Sequence, residues 1–503
     1  MSIIQTKYQQ LAPRGEFLTD AVVLAQAWKK AHAYIRKHNW YADMLDLDCS
    51  VIDLERRLAE WAAAIASDAF APEPMMLVPA PKNARWDFPN LPGRDSDERF
   101  EAWGVAENQQ GGRIQKLRPL AHLSIRDQSL ATAVMLCLAD AVESAQGDTS
   151  ERDGLKAQQQ GVFSYGNRLH CRWDSNTRPH PRAFFSWGNS RTYSQYFQDY
   201  RTFLARPRGV CADLSAQLAA GRELYMISLD IQSFFDCIDR SALIRQLQML
   251  YGEFAKDFGL PEELHADEDF WRKTEQVFCW RWRPDDQRFA SLFNGPDSLF
   301  NGPDSLPMGL PQGLIASGFF ANAYMVGFDR LLDKAIKEDD SAAGFRIRDY
   351  CRYVDDIRVV VEAGSQDDAG VLAAKVQRFV SERLQEHCKE IGADKALTLN
   401  EDKMTVIPYR STSAQSNLSA LMEMLQEAIS GTFDLDSLTQ AAGGLDGLLW
   451  MSEQLEDPQS RKTSSLQLAN IAVPNTDVRD DTVKRFVATR IASALRMRLA
   501  MTD

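Results

Sequence analysis

The chain has 503 residues, 45% of them apolar and 25% charged, with a formal net charge of −13. That composition excludes a disordered tail and a fibre and argues against a generic polyanion binder, while leaving room for roughly two to four domains around a large core. Its eight cysteines form no CxxC pair and no zinc-binding spacing with histidine, so reduced, mostly buried thiols are expected.

The opening MSIIQTKYQQLAPRGEFL lacks a charged stretch followed by an apolar one, and no long uncharged apolar run occurs elsewhere. A cytoplasmic protein with no membrane partner is the expectation. Residues 18–72 carry helical periodicity broken near Asn39–Trp40, which predicts two or three amphipathic helices. Residues 73–118 are rich in Pro, Gly and Asn with strand-like pieces such as MMLVPAP, and Ser129–Ala145 reads as helix again.

From Gly166 to Val210 the chain carries eight Arg, no Lys and two Asp, interleaved with aromatic residues. Arginine forks for phosphates and aromatic faces for bases suit a single-stranded nucleic-acid channel. Arg172, Arg178, Arg182, Trp187 and Arg191 are its candidates. An arginine-rich surface over core aromatics is the alternative, and the segment alone does not choose between them.

Strands are predicted at 224–231, 345–353 and 357–362, with helices near 240–250, 312–334 and 367–390. FNGPDSL occurs twice in succession within 293–306, a turn-rich unit that reads as a lengthened loop. After Ser411 the pattern is mostly helical. The expected fold class is α+β.

The stretch RYVDDIRVVV places Asp355 and Asp356 side by side between two apolar strands. In FRIRDYCRY, Phe345, Ile347, Cys351 and Tyr353 alternate with Arg346, Arg348, Tyr350 and Arg352, so the two aspartates fall at a hairpin tip. Adjacent carboxylates raise each other's cost of ionisation unless a cation answers it. In YMISLDIQSFFDCID, Asp230 ends another strand-like run, and three carboxylates at neighbouring strand ends would make a hard, oxygen-lined site suited to Mg²⁺. Two such ions clamp an in-line phosphoryl transfer. Between these motifs LPMGLPQGLIASGFFANAYM precedes a helix whose Ala316, Ser317 and Gly318 permit close approach.

Taken in order, these motifs resemble a reverse transcriptase over roughly residues 110–410. KLRPLAHLSIRDQ (116–128) and VFSYGNRL (162–169) are similar to the two fingers motifs, LPQG (310–313) to the nucleotide-positioning motif, YVDD (353–356) to the catalytic hairpin and LNEDK (399–403) to the palm element after it. The resemblance implies a right-hand polymerase with a helical N-terminal region (1–75), a fingers-like region (76–210), a palm (211–410, with a loop insertion at about 251–306) and a helical, thumb-like end (411–503).

It also implies that Asp230, Asp355 and Asp356, with the Ile231 carbonyl, hold two Mg²⁺ ions, for which Mn²⁺ can substitute. Arg118, Arg126, Arg168, Phe235, Gln312 and Gly313 would meet the incoming dNTP, Phe235 excluding a ribose 2′-OH. Lys403 would protonate the leaving group, and Tyr353 would touch nucleic acid. No RNase H-like stretch, zinc-binding endonuclease or VTG signature is present, and the N-terminal helices with SYGNRL look like the bacterial abortive-infection and defence-associated members. That subgroup implies antiphage defence, an RNA template such as a companion non-coding RNA, a DNA product, and a homo-oligomer or partner defence protein. Two alternatives stay open: a template-independent, protein-primed terminal transferase, and a catalytically silent RNA-binding scaffold or sensor.

Overall fold

The computed structural model describes residues 6–38, 44–81, 86–87, 104–105, 117–177, 179–194, 196–293, 306–338, 344–401 and 404–409. Lys403, Arg178, the doubled FNGPDSL beyond Phe293 up to residue 305, and the end from residue 410 that is expected to be helical lie outside the described residues.

The N-terminal periodicity becomes α1 (Ala21–His38), a short turn of helix at Met44–Cys49 and α2 (Leu54–Ala66). Strands β1 (Met76–Pro81) and β2 (Leu117–His122) pair antiparallel, with Ala80 opposite Arg118. Ser124 then caps α3 (Ile125–Gln146) by accepting a hydrogen bond from Asp127 N, which satisfies one of the orphan donors of a helix start. Nearly every residue of α3 is buried, as befits a helix without a polar face, and α1 packs on it. Among the described residues the main hydrophobic core runs from Leu11 to Leu399, and a second, smaller cluster joins Val210, Cys211 and Leu214 to Leu224, Met226 and Val360.

A small hairpin, β3 (Cys171–Asp174) and β4 (Arg182–Phe185), leads to α4 (Tyr196–Ser215) and then to the first central strand, β5 (Arg222–Asp230). Helices α5 (Arg240–Asp257) and α6 (Glu268–Val277) follow, each started by an aspartate, Asp239 and Asp267, that accepts from the backbone three residues on. Among its described residues, the stretch expected as a loop insertion is largely helical. After it come α7 (Ser317–Glu338), β6 (Arg346–Tyr353), β7 (Asp356–Gly364), α8 (Ala369–Glu390) and β8 (Thr405–Pro408). The fold mixes helix and sheet, as the sequence predicts.

The central sheet has the order β8-β5-β7-β6, antiparallel throughout. Its two faces are covered by different helices. Cys351 and Tyr353 of β6 and Arg358 of β7 lie against Phe203 of α4, whereas Tyr350 and Arg352 face Phe328 and Asp329 of α7. The simple alternation expected for 345–353 is broken by a bulge between Ile347 and Asp349, and from Asp349 onward both faces of β6 are buried.

Burial on both faces forces the charged residues of β6 into pairs. Asp349 accepts two bonds from Arg206 of α4, at 2.7 and 2.8 Å, and Arg352 donates two to Asp329 of α7, at 2.7 and 2.8 Å. Asn322 adds an acceptor to Arg352 at 2.8 Å, and Tyr350 donates to Asp329 at 2.9 Å. Such forks hold direction as well as charge. Among the described residues no helix is long and apolar enough to cross a membrane.

Candidate active site

The hairpin between β6 and β7 closes with Tyr353 opposite Asp356, leaving Val354 and Asp355 in the turn. Val354 has φ +59°, a left-handed conformation that a β-branched residue rarely takes. Beneath it, a Cβ on Gly166 would lie 2.6 Å from the Val354 side chain, so only glycine fits there.

Two backbone features bring the aspartates together. Asp230 stands directly opposite Asp356 across the β5–β7 ladder, so both side chains leave the same face of the sheet. One residue further on, Ile231 N donates to the Asp355 carbonyl at 3.1 Å. Asn400 N donates to the Asp230 carbonyl at 2.7 Å, which fixes the other side of the strand end to the segment approaching β8. Asp230 is only 3% exposed, while Asp355 and Asp356 are half-buried.

The donor set is all oxygen, three carboxylates beside the Ile231 peptide, and that chemistry fits Mg²⁺ or Mn²⁺. Among the described residues no three His, Cys, Asp or Glu side chains are grouped as a metal-binding cluster. The backbone thus places the three aspartates next to one another without wrapping their side chains round a point.

The LPQG loop is stitched to three neighbours. Ala121 N donates to the Gln312 carbonyl at 2.8 Å, joining the loop to β2. The Gln312 amide donates to Asp236 at 2.9 Å, and Leu310 N donates to the Phe235 carbonyl at 2.8 Å. Gln128, 1% exposed, latches the far side by donating to the Gly313 carbonyl and accepting from Ile315 N. Gly313 has φ +138°, and a Cβ there would sit 2.1 Å from the Ala121 carbonyl oxygen. Phe235, Gln312 and Gly313 are therefore held in one assembly that also carries Arg118 on β2. Sequence reasoning missed Gln128 and Asp236, although both lie inside the motifs it quoted.

Beside this assembly is a cavity of about 310 Å³, whose lining includes Asp236, Asp239, Gly309, Asp394 and Lys395. None of the three motif aspartates lines it.

Several expected ligands have other occupations. Arg168 is buried and donates to Glu143 at 2.8 Å, to the Ser164 carbonyl at 2.8 Å and to the Gly147 carbonyl. Burial raises the pKa of Glu143 and the nearby guanidinium opposes that shift. The triphosphate role expected of Arg168 is withdrawn, because its donors already close the SYGN loop onto α3. Arg126 is tied to Asp127 at 2.9 Å and lies over the Phe70 ring.

The arginine and aromatic segment folds mostly inward. Arg182 lies over the rings of Phe184, Phe254 and Phe258 and donates to Gln10, and Trp187 donates to the Tyr8 carbonyl. Tyr353 is buried edge-on against Tyr200, 5.0 Å between centroids. Tyr353 is a core residue, so its expected contact with nucleic acid is corrected, whereas Arg182 and Trp187 are half-buried and packed against these neighbours. Arg172 and Arg191 stay exposed, the former over Phe184.

No protein-family model and no curated protein matches this chain. Among solved structures it is similar to a telomerase from Candida albicans in complex with a TWJ fragment of telomeric RNA, at 13% identity over 51% of this chain and 43% of that one, with a TM-score of 0.27. Apo telomerase from Candida tropicalis aligns at 12% identity over 84% and 60% of the two chains, TM-score 0.30. Its counterpart in complex with the TWJ fragment gives 12%, 85% and 56%, TM-score 0.29. This chain spans less than two thirds of each of those proteins.

Proposed function

We propose that the chain is a nucleotidyltransferase that adds dNTPs to a 3′-OH in the manner of a reverse transcriptase. The observation that carries this reading is the Asp230–Asp356 rung, continued by the Ile231 to Asp355 backbone bond. Together they join the two carboxylate motifs, which are remote in sequence, at one strand end.

In this reading Asp230, Asp355, Asp356 and the Ile231 carbonyl hold Mg²⁺, which when bound neutralises charge developing on the transferred phosphoryl group. The remaining work belongs to the chain itself. The strained turn fixes where Asp355 points, Asp356 and Asp230 leave one face together, and Phe235 walls the sugar side. Gln312 and Gly313 shape the floor on which a base pair would rest, with Arg118 beside them on β2. Lys403, carried by the sequence motif, is the proton donor to the leaving group. An RNA template, a companion non-coding RNA and a role in antiphage defence complete the proposal and rest on the sequence resemblance.

A second reading, the silent scaffold, is favoured by one observation: α4 packs on the face from which Asp230 and Asp356 emerge. Primer extension separates the two. The full chain with a primer annealed to RNA, Mg²⁺ and dNTPs should lengthen the primer, and Asp355→Ala should lower the rate about 10³-fold or more, a barrier increase of about 4 kcal/mol. Extension by the Asp355→Ala protein at the wild-type rate, or none by the wild type on any template, would overturn the proposal.

A further inference from the structure

Helices α5, α7 and α8 meet around a cavity of about 150 Å³ lined by Arg245, Gln246, Met249, Gly327, His387 and Ile391, with Glu390 completing the wall. Two of the lining side chains are polar and almost wholly buried: Gln246 is 1% exposed and His387 0%. Both amide atoms of Gln246, Oε1 and Nε2, and Nδ1 of His387 have no hydrogen-bond partner. Buried polar atoms are normally paired, so three orphans around one cavity point to something that belongs in it.

The imidazole tautomer follows from its other contact. His387 Nε2 lies 2.8 Å from the Tyr324 carbonyl, which can only accept, so Nε2 carries the hydrogen and Nδ1 presents a lone pair. Burial lowers the His387 pKa to about 4, which keeps the ring neutral at ordinary pH. Because both Gln246 amide atoms are orphaned, its donor and acceptor sides are available whichever way the amide is turned.

Gly327 forms one wall of the cavity. There a Cβ would lie 2.6 Å from His387 Nδ1 and 3.8 Å from Gln246 Nε2, so any larger residue would press on the imidazole. Arg245 is exposed and already engaged, donating to the carbonyls of Ile391 and Gly392 at 3.0 and 2.7 Å, so its guanidinium stays at the solvent side of the mouth. A space of about 150 Å³ takes one six-membered ring.

The protein side thus offers two acceptors, Gln246 Oε1 and His387 Nδ1, and one donor, Gln246 Nε2. We infer that this cavity binds a neutral single-ring base with an amino group beside a ring acceptor, the edge presented by cytosine. One amino hydrogen and the ring nitrogen pair with the Gln246 amide, in the two-bond manner by which glutamine reads adenine, and the second amino hydrogen reaches His387 Nδ1. A uracil-type edge, with one hydrogen donor between two acceptors, leaves one protein acceptor orphaned. The inference stands on the cavity alone and does not depend on polymerase activity.

The test is calorimetric titration of the full chain with 1-methylcytosine and 1-methyluracil, in which the ring nitrogen bearing sugar in nucleosides is blocked. 1-methylcytosine should bind at least tenfold more tightly, about 1.4 kcal/mol. Gln246→Leu removes both amide orphans without leaving a void, so the protein should remain folded by circular dichroism while binding weakens tenfold or more. Gly327→Ala should abolish binding. Competition by cytidine or oligo-dC would identify a nucleoside or strand as the source, and binding of the free base alone would identify the base. Absence of 1-methylcytosine binding, equal binding of the two rings, or unchanged binding in a folded Gln246→Leu protein would overturn the inference and leave ordered water as the occupant.

Discussion

The hairpin of β6 and β7 carries charge along its first strand and at its tip, and the two places follow opposite rules. Within β6, Asp349 and Arg352 are each buried against a residue of opposite sign, Arg206 and Asp329, through paired hydrogen bonds. At the tip, Asp356 faces another aspartate, Asp230, across a ladder rung. Like charges directly opposite weaken a sheet, whereas a buried fork fixes strands in direction and register. The forks of β6 therefore help hold the register in which two carboxylates stand opposite each other at the tip.

Breaking one of the buried forks of β6 should cost the most stability. Arg352→Met leaves Asp329 buried beside an apolar side chain and should lower unfolding free energy by about 3–5 kcal/mol in urea denaturation. Arg352→Met with Asp329→Leu should recover most of that loss, because an apolar pair removes both charges together.

A next-largest effect is expected where acid reaches the interior behind the sheet. The His387 pKa, about 4, lies below its unfolded value of about 6.5, so the unfolded chain binds more protons between those limits and stability falls as pH drops from 6.5 to 4. The contribution is about 3 kcal/mol, and His387→Gln should flatten that part of the stability curve in thermal melts recorded across the window. Gly313→Ala forces a Cβ against the Ala121 carbonyl at an unfavourable φ, and should cost about 1–3 kcal/mol with reduced primer extension. The smallest effect sharpens the comparison most: Asp356→Asn removes a like charge and should raise stability by about 0.2–1 kcal/mol in the same melts while depressing nucleotide incorporation.

Three strands of the central sheet were legible because their apolar residues run continuously to recognisable ends, and β8 was not: predicted 224–231 is found at Arg222–Asp230, and the hairpin turn falls where the two aspartates interrupt the pattern. Their pairing was legible only through the ordered motifs, since periodicity does not say which strand lies beside which. The fate of the arginines was not legible. Arg206 and Asp349 are 143 positions apart, and no local pattern distinguishes that arginine from exposed Arg172. Arg168 and Tyr353 were misread for the same reason, because Glu143 and Tyr200, the residues that occupy them, lie in other elements. Gln246 and His387 carried no signal in the sequence, as their meaning lies in what they fail to bond.

The order of strands in the sheet has a consequence for how the protein comes to exist. β5 is made early and waits through α5, α6 and α7 before its partner β7 is synthesised, and β8 closes its other edge later still. Long loops must close before such contacts are rewarded, so the sheet is slow to form and belongs to the last stage of folding. At about 5–20 residues per second on the ribosome, the nascent chain carries Asp230 for several seconds before Asp356 exists to face it.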